Sequence, residues 1–208
     1  MYRIVALSLL AVTALVVPAL AQDKAAPQDP KSAPAEKPTH HLSSPIVKDI
    51  KELEHFIYGE AEITFDTMMD AMTKTFFPLM ESLGKNGVVY DYPAIFVYKG
   101  ATEDPKKKFT FQTGYPARPD CKAPEGFKIR KLEAHRCVSI YFTGPLTELE
   151  AAYKAVYAQI AKAGHQPTGE SRELYLFWDG EASPNTVVEI QVGIARPAKD
   201  DKDAKKEE

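Results

Sequence analysis

The chain contains an internal repeat with an offset of 80 residues. The segments GKNGVVYDYPAIFVYKG (84–100) and GHQPTGESRELYLFWDG (164–180) have equal length, begin with glycine and end in an aromatic run followed by glycine. Further on, KFTFQTGY and VVEIQVGI align at an offset of 79, which pairs Gln112 with Gln191. A repeat of this kind constrains the fold, because each copy has to form the same structural unit.

Each copy predicts the order strand, helix, strand, strand. Apolar residues at helical spacing precede both aligned segments, and a short strand candidate precedes each helix. A half of this size has one helix and one apolar sheet face, so two halves are needed to complete a core. We therefore expect an α+β domain over 46–197, with halves at about 50–115 and 130–195. Its sheet should be mostly antiparallel, with two helices on one side and a concave ligand groove on the other.

The segments that flank this domain have different compositions. Residues 1–21 have one basic residue, an apolar stretch and an A-x-A ending, which predicts a signal peptide cleaved near Ala21 and a periplasmic or secreted protein. Residues 22–45 are rich in Pro, Ala and charge, which predicts a disordered tether. Residues 198–208 mix charges of both signs and predict a disordered tail. No later segment is apolar enough to predict a membrane span.

Charge and residue spacing argue against several kinds of site. The formal net charge is -3 and basic residues do not cluster, so we expect no nucleic-acid partner. The histidines form no pair at metal-ligand spacing, so we expect no metal site and no cofactor. Cys121 and Cys137 are the two cysteines of a chain predicted to be exported, and this favours a structural disulfide over two free thiols.

Three stretches carry a resemblance to a known family. They are GPLTELEAAY at Gly144 to Tyr153, ELY at Glu173 to Tyr175, and TVVEIQV at Thr186 to Val192. Together with the duplicated layout, they resemble the GyrI-like small-molecule-binding domain, whose members include gyrase inhibitors, effector-binding domains of AraC-type and MerR-type regulators, and hydrolases of cyclopropane-bearing toxins. The resemblance implies a groove for bulky, often cationic or aromatic ligands, and a pocket acid at Glu173 with Tyr175 beside it. A helix-turn-helix domain is not apparent, so we do not expect the regulatory outputs of the family.

The alternation of side chains along a strand predicts which residues lie beside Glu173. Glu173, Tyr175 and Phe177 should share one face, which we assign to the groove, while Leu174 and Leu176 should face the helices. A carboxylate among rings would lose hydration, and a bound organic cation would favour its ionised form. An ordinary solvated glutamate, or a charge that protects an edge strand, is the alternative. The offset of 80 aligns Glu173 with Pro93, so the acid belongs to one half of the repeat.

Three further residues are candidates for the groove. Gln191 points away from the core-facing residues beside it and could bind a ligand, although a solvated polar face explains it equally well. Tyr141 shares a strand face that could reach the groove. Trp178 could form a wall of the pocket, or pack at its rim.

The resulting hypothesis is a periplasmic binding protein for a hydrophobic, cationic or aromatic small molecule, with Glu173 as counter-charge. Two other functions stay open at this point. A hydrolase of a strained or electrophilic toxin would use Glu173 as general base, with Tyr175 assisting. A porphyrin carrier is the third, because haem-binding proteins with a similar duplicated fold exist.

Overall fold

The computed structural model describes residues 39–102 and 104–196. The predicted signal peptide, most of the predicted tether and the predicted tail lie outside these residues. Within the described ranges, no helix is both long enough and apolar enough to cross a membrane.

Two α-helices, two short 3-10 helices (Phe65–Thr67 and Leu146–Glu148) and nine strands form in this part of the chain. The α-helices are α1 (Met68–Lys85) and α2 (Glu150–Lys162). The strands are β1 (His41–Leu42), β2 (Ile46–Ile50), β3 (Leu53–Ile63), β4 (Ala94–Lys99), β5 (Phe109–Pro116), β6 (Lys128–Leu132), β7 (His135–Thr143), β8 (Pro167–Phe177) and β9 (Val187–Ile194).

The strands form a single antiparallel sheet in which the repeat is visible. Its order is β1-β7-β9-β8-β4-β5-β3-β6, and β2 also pairs with β7. The first half is β3-α1-β4-β5 and the second is β7-α2-β8-β9. The two halves join where β4 pairs with β8. The predicted α+β class, with two helices and an antiparallel sheet, is therefore confirmed.

A pseudo-twofold axis passes between β4 and β8. Val97 pairs with Gln112 in the first half, and Arg172 pairs with Gln191 in the second. Since Gln112 and Gln191 are equivalent in the repeat, Val97 and Arg172 are equivalent too, and these two residues face each other across the junction. Tyr98 follows Val97 in β4 and Glu173 follows Arg172 in β8, so Tyr98 and Glu173 occupy equivalent positions of the repeat.

The alignment of Glu173 with Pro93 is therefore wrong. An offset of 80 assumes that both halves use the same connections, but 86–93 join α1 to β4 whereas 163–166 join α2 to β8. The longer helix and the longer connection of the first half together lower the offset of the central strands to 75. A single offset for the whole repeat could not show this.

Both helices pack on the same face of the sheet, each over the outer strands of its own half. α1 lies on β3 and β5, and α2 lies on β7 and β9. The main core forms under them and includes Leu79, Val156 and Ile190. The backbone of neither helix packs closely on the middle strands β4 and β8. Only side chains reach them, such as Phe76 of α1, whose ring lies 5.0 Å from that of Phe96, so a gap remains between the helices at the centre of this face.

The opposite face has a smaller apolar cluster and a polar surface. Phe56, Tyr58, Ile95, Val97 and Leu132 form this cluster. Leu174 packs against it, so the assignment of Leu174 to the helix-covered face is wrong. The prediction assumes that an aliphatic side chain on β8 needs a helix for burial, but side chains of neighbouring strands on the same face of the sheet bury Leu174 in part.

Some residues before the predicted domain boundary at residue 46 contact the sheet. His41 and Leu42 pair with Thr143 and Phe142 of β7, although the sequence assigned both to the tether. The ring of His40 also stacks on Phe142, with centroids 5.8 Å apart. Contacts with the finished sheet position these few residues, which composition alone does not reveal.

The two cysteines are free, so the predicted disulfide between Cys121 and Cys137 does not form. Cys137 is fully buried in β7, between Lys48 of β2 and Gly193 of β9. Cys121 lies in the connection between β5 and β6, beside residues that follow α1. One thiol thus lies in a strand of the second half and the other in the connection between the two halves.

Candidate functional site

A large cavity occupies the gap between the helices. Its volume is about 1210 Å³. The floor comes from β4 and β8, and the walls come from α1 and α2. The groove therefore lies on the face of the sheet that carries the helices. The prediction that it lies on the opposite face is wrong. The reason is the placement of the helices over the outer strands, which leaves the middle of the sheet open between them.

Glu173 lies in the floor of this cavity and accepts hydrogen bonds from three tyrosines. The hydroxyl of Tyr153, from α2, donates to Oε1 at 2.6 Å. The hydroxyls of Tyr98, from β4, and Tyr175, from β8, both donate to Oε2 at 2.9 Å. Only 4% of the Glu173 surface is exposed. We call these four side chains the tyrosine box.

Burial and hydrogen bonding act on Glu173 in opposite directions. Removal from water raises the pKa of Glu173 above its ordinary value, and the hydrogen bonds from Tyr153, Tyr175 and Tyr98 reduce this rise. Burial, together with the nearby carboxylate, also raises the pKa values of the three tyrosines well above their ordinary value. The phenols therefore stay protonated and act as donors near neutral pH. The box presents one carboxyl group whose charge a cation would stabilise.

A bulge in β8 decides which aromatic residue joins the cavity. Tyr175 pairs with Val188 and Phe177 pairs with Val187, so β8 has one residue more than β9 at this point. The extra residue interrupts the alternation of faces. Phe177 points outward and is 51% exposed, whereas Trp178 lines the cavity and packs edge-on against Tyr175, with centroids 5.9 Å apart. Strand parity therefore placed Tyr175 correctly and Phe177 incorrectly.

Gln191 and Tyr141 lie on the face of the sheet opposite the cavity. Gln191 is 2% exposed and donates to Oε1 of Glu189 at 3.1 Å. The same oxygen accepts from Ser139 at 2.6 Å and from Lys48 at 2.8 Å. Tyr141 accepts a hydrogen bond from Lys48 at 2.9 Å. Both residues thus belong to a polar network that links β2, β7 and β9, with Gln191 at its buried end and Tyr141 at its exposed end.

The walls of the cavity are apolar, and its charged residues are all acidic. Four methionines line it, namely Met68, Met69, Met72 and Met80. The other aromatic and aliphatic contributors include Phe65, Phe76, Phe77, Tyr92, Leu146, Leu149 and Tyr157. Its acidic contributors are Asp66, Asp104, Glu150, Glu173 and Glu181, and no Lys, Arg or His is among the described residues that line it. Such a cavity favours an apolar ligand of positive charge.

Two residues of the tyrosine box were missed by the sequence reasoning. Tyr153 lies on the apolar stripe of α2, where core packing is the ordinary explanation of an aromatic residue. Tyr98 lies in the other half of the repeat, and only the pairing of β4 with β8 brings it to Glu173. The signal that could have found Tyr98 is its equivalence to Glu173, which requires the offset of 75.

The arrangement can bind an organic cation through charge and ring contacts, and it can hold a proton on a buried carboxyl group. Among the described residues, no group of three or more His, Cys, Asp or Glu side chains could hold a metal ion.

Three comparisons relate the chain to known proteins. Residues 47–195 match the family model described as the GyrI-like small molecule binding domain. No curated protein matches the sequence. The structure resembles the C-terminal domain of EcmrR, with a TM-score of 0.60 and 18% identity, covering 76% of this chain and 99% of that one.

Two further solved structures share the fold. EcmrR in a complex with DNA gives a TM-score of 0.60 at 18% identity, covering 76% of this chain, and the chain spans only 59% of that protein. SAV2435 bound to tetraphenylphosphonium gives a TM-score of 0.55 at 9% identity, covering 74% of this chain and 94% of that one.

Proposed function

The chain belongs to the GyrI-like small-molecule-binding domain family, and from this membership we propose that it takes up a hydrophobic organic cation between its two repeats. Glu173 serves as the counter-charge. The ligand's apolar groups contact the cavity walls.

The tyrosine box is the observation that carries this proposal. A carboxyl group that is 4% exposed at the floor of an apolar cavity is unfavourable when ionised without a partner. A bound cation supplies that partner. The hydroxyl groups of Tyr98, Tyr153 and Tyr175 converge on this carboxyl group, and all three residues line the cavity. Contact of a cation with an aromatic face contributes about 0.5 to 2 kcal/mol. Charge and ring contacts therefore favour the same class of ligand.

The comparisons support the same class. SAV2435, which shares the fold, is bound to tetraphenylphosphonium, a bulky aromatic cation. The described residues that line the cavity here include five acidic side chains and no basic one. An aromatic cation is thus a reasonable first probe for this chain.

The first experiment is a titration with tetraphenylphosphonium, with triphenylphosphine oxide as a neutral compound of similar shape. The single tryptophan of the chain, Trp178, lines the cavity and reports binding by its fluorescence. We expect Glu173→Gln to weaken binding of the cation by at least tenfold, since loss of one partner of a buried charge pair costs about 2 kcal/mol or more. Binding of the neutral compound should change little.

Glu170→Gln is the matched control. Glu170 is also on β8, but it contacts Arg172 on the opposite face of the sheet, with 2.7 Å between Oε1 and Nη2. This variant should bind the cation as the wild type does. Equal affinity of the wild type and Glu173→Gln for tetraphenylphosphonium would refute the role of Glu173.

Two other functions predict different results. A hydrolase would release product from a reactive substrate over many turnovers, and turnover lost in Glu173→Gln would replace the binding proposal. A porphyrin carrier would give a Soret band on titration with haem. We expect stoichiometric binding without product, and no Soret band.

We also propose that the protein acts in the periplasm. This rests on the leader pattern of residues 1–21. Fractionation of cells that express the full chain should recover it in the osmotic-shock fraction; recovery in the cytoplasm would contradict the proposal.

A further inference from the structure

We propose that the ligand is a single-tailed cationic amphiphile, with its head at the tyrosine box and its aliphatic tail along α1. This inference rests on the proposed function, and it adds the shape and the orientation of the ligand. Its basis is the difference between the two helical walls of the cavity.

The two helices present different chemistry at equivalent positions. The buried stripe Ala71, Thr75, Leu79 of α1 matches the stripe Ala152, Val156, Ile160 of α2 at an offset of 81. At the same offset, Met68, Met72 and Phe76 correspond to Leu149, Tyr153 and Tyr157, and all six line the cavity. The α2 wall thus has two phenols where the α1 wall has none.

This difference orients a ligand. The polar end of an amphiphile is best placed beside α2, because Tyr153 donates to Glu173 there at 2.6 Å. Every side chain that α1 contributes to the lining is apolar: Met68, Met69, Met72, Phe76, Phe77 and Met80. The repeat shows that this composition is not a requirement of the scaffold, since α2 fulfils the same packing role with other residues.

The α1 wall is suited to a flexible chain. Four of its six lining residues are methionines. Methionine is unbranched and adapts to irregular shapes, so such a wall can follow an aliphatic tail in many conformations. The wall extends from Met68 to Met80, which is about 18 Å at the helical rise. This length is comparable to the extended tail of a single-chain surfactant.

The size and the mouth of the cavity favour a ligand with a tail. The volume of about 1210 Å³ exceeds the range of about 300 to 1,000 Å³ that is usual for ligand pockets. Along the outer row of α1, Met69 is 43% exposed, Phe77 52% and Met80 40%. The apolar wall therefore continues from the floor to solvent, and a tail can lie along it while the head stays at Glu173.

The experiment is a chain-length series of alkyltrimethylammonium ions, from tetramethylammonium to dodecyltrimethylammonium, kept below their micelle-forming concentrations. Binding to the full chain is measured by calorimetry. We expect each additional methylene to tighten binding by about fourfold until the tail reaches the mouth. The methyl NMR signals of the four methionines of α1 should shift with the dodecyl compound and not with tetramethylammonium.

Two variants test whether the α1 wall, and not the stability of the helix, determines how affinity depends on tail length. Phe77→Gln changes an exposed residue of the wall, and we expect the gain per methylene to fall for the longer tails. Thr73→Gln, at an exposed position of the same helix that does not line the cavity, should keep the wild-type gain.

The outcomes distinguish this inference from the proposed function. If affinity does not depend on chain length, or if the dodecyl compound binds without shifting any methionine signal, the placement of the tail is wrong. If the cations bind Glu173→Gln as tightly as the wild type, the proposed function itself fails. If Glu173→Gln lowers all affinities but keeps the gain per methylene, head and tail act as proposed.

Discussion

At the scale of single residues, the buried carboxyl group of Glu173 should make the stability of the folded protein depend on pH. Its pKa in the folded state is raised above the ordinary 4.5, mainly by burial. The folded protein therefore holds this proton more tightly than the unfolded chain does. The stability that the group contributes is fully present below pH 4.5 and is lost as the pH rises through the folded pKa. A bound cation offsets this loss because it favours the ionised form.

Replacement of Tyr153 by phenylalanine should shift the pH dependence of cation binding. The cation requires ionised Glu173, so affinity falls as the pH drops through the pKa of this group. Tyr153→Phe removes a hydrogen bond that lowers that pKa. We expect the midpoint of the affinity curve to move to higher pH, with a loss of stability of about 1 to 2 kcal/mol.

The measurement is a titration with tetraphenylphosphonium over a range of pH, together with urea unfolding. Tyr115→Phe is the comparison, because it removes another phenol that lines the cavity, whereas the three donors to Glu173 are Tyr98, Tyr153 and Tyr175. A midpoint that stays in place, or moves to lower pH, would show that Tyr153 does not tune the carboxyl group.

At the scale of elements, the twin strands β5 and β9 each have a glycine with a close neighbour. A Cβ atom added at Gly114 of β5 would lie 1.9 Å from the carbonyl oxygen of Ile57. One added at Gly193 of β9 would lie 2.3 Å from Oγ1 of Thr168. The first neighbour is backbone of β3, whereas the nearest neighbour of the second is a side-chain oxygen, and the backbone oxygen of Glu170 lies farther away at 2.9 Å. The two equivalent positions of the repeat should thus differ in how well they tolerate a side chain.

Alanine should therefore destabilise the two halves unequally. We expect Gly114→Ala to lower the free energy of unfolding by about 3 kcal/mol, since β3 has to move, and Gly193→Ala by roughly 1 to 2 kcal/mol. Urea unfolding of both variants tests this. Equal losses, or a larger loss for Gly193→Ala, would contradict the close approach of β5 to β3.

The elements also show where sequence reasoning fails. The order strand, helix, strand, strand follows from the spacing of apolar residues and from the repeat, and the structure has this order. The position of the groove does not follow, because the sequence pattern does not show that α1 and α2 cover only the outer strands. The bulge before Phe177 is equally invisible, since alternation predicts the face of a residue only while the register continues.

At the scale of the whole molecule, the cavity joins the two halves. Tyr98 comes from the first half, and Glu173, Tyr153 and Tyr175 come from the second. The pairing of β4 with β8 brings these residues together. The sequence could predict Glu173 and Tyr175, because they are neighbours in the chain. It could not predict a box that depends on contacts between halves.

Ligand binding should therefore stabilise the domain as one unit. At a cation concentration of 100 times Kd, the gain is about 2.7 kcal/mol, which corresponds to a rise in Tm of about 5 to 10 °C. Differential scanning calorimetry should show one transition, with and without the cation. In Glu173→Gln the same concentration should give a much smaller rise. Two transitions, only one of which shifts, would mean that the halves unfold independently.

The equivalence of Tyr98 and Glu173 has a consequence for how such a site can arise. Consider instead a symmetric dimer in which each half is a separate, identical chain and the two copies pair through the strands equivalent to β4 and β8. Both copies would then have the same residue at the position of Tyr98 and Glu173. A glutamate would then face a second glutamate near the axis, and two adjacent carboxylates resist simultaneous ionisation. Fusion of the halves into one chain frees each copy to carry a different residue. A single acid with a phenol as its neighbour is a solution that exact symmetry forbids.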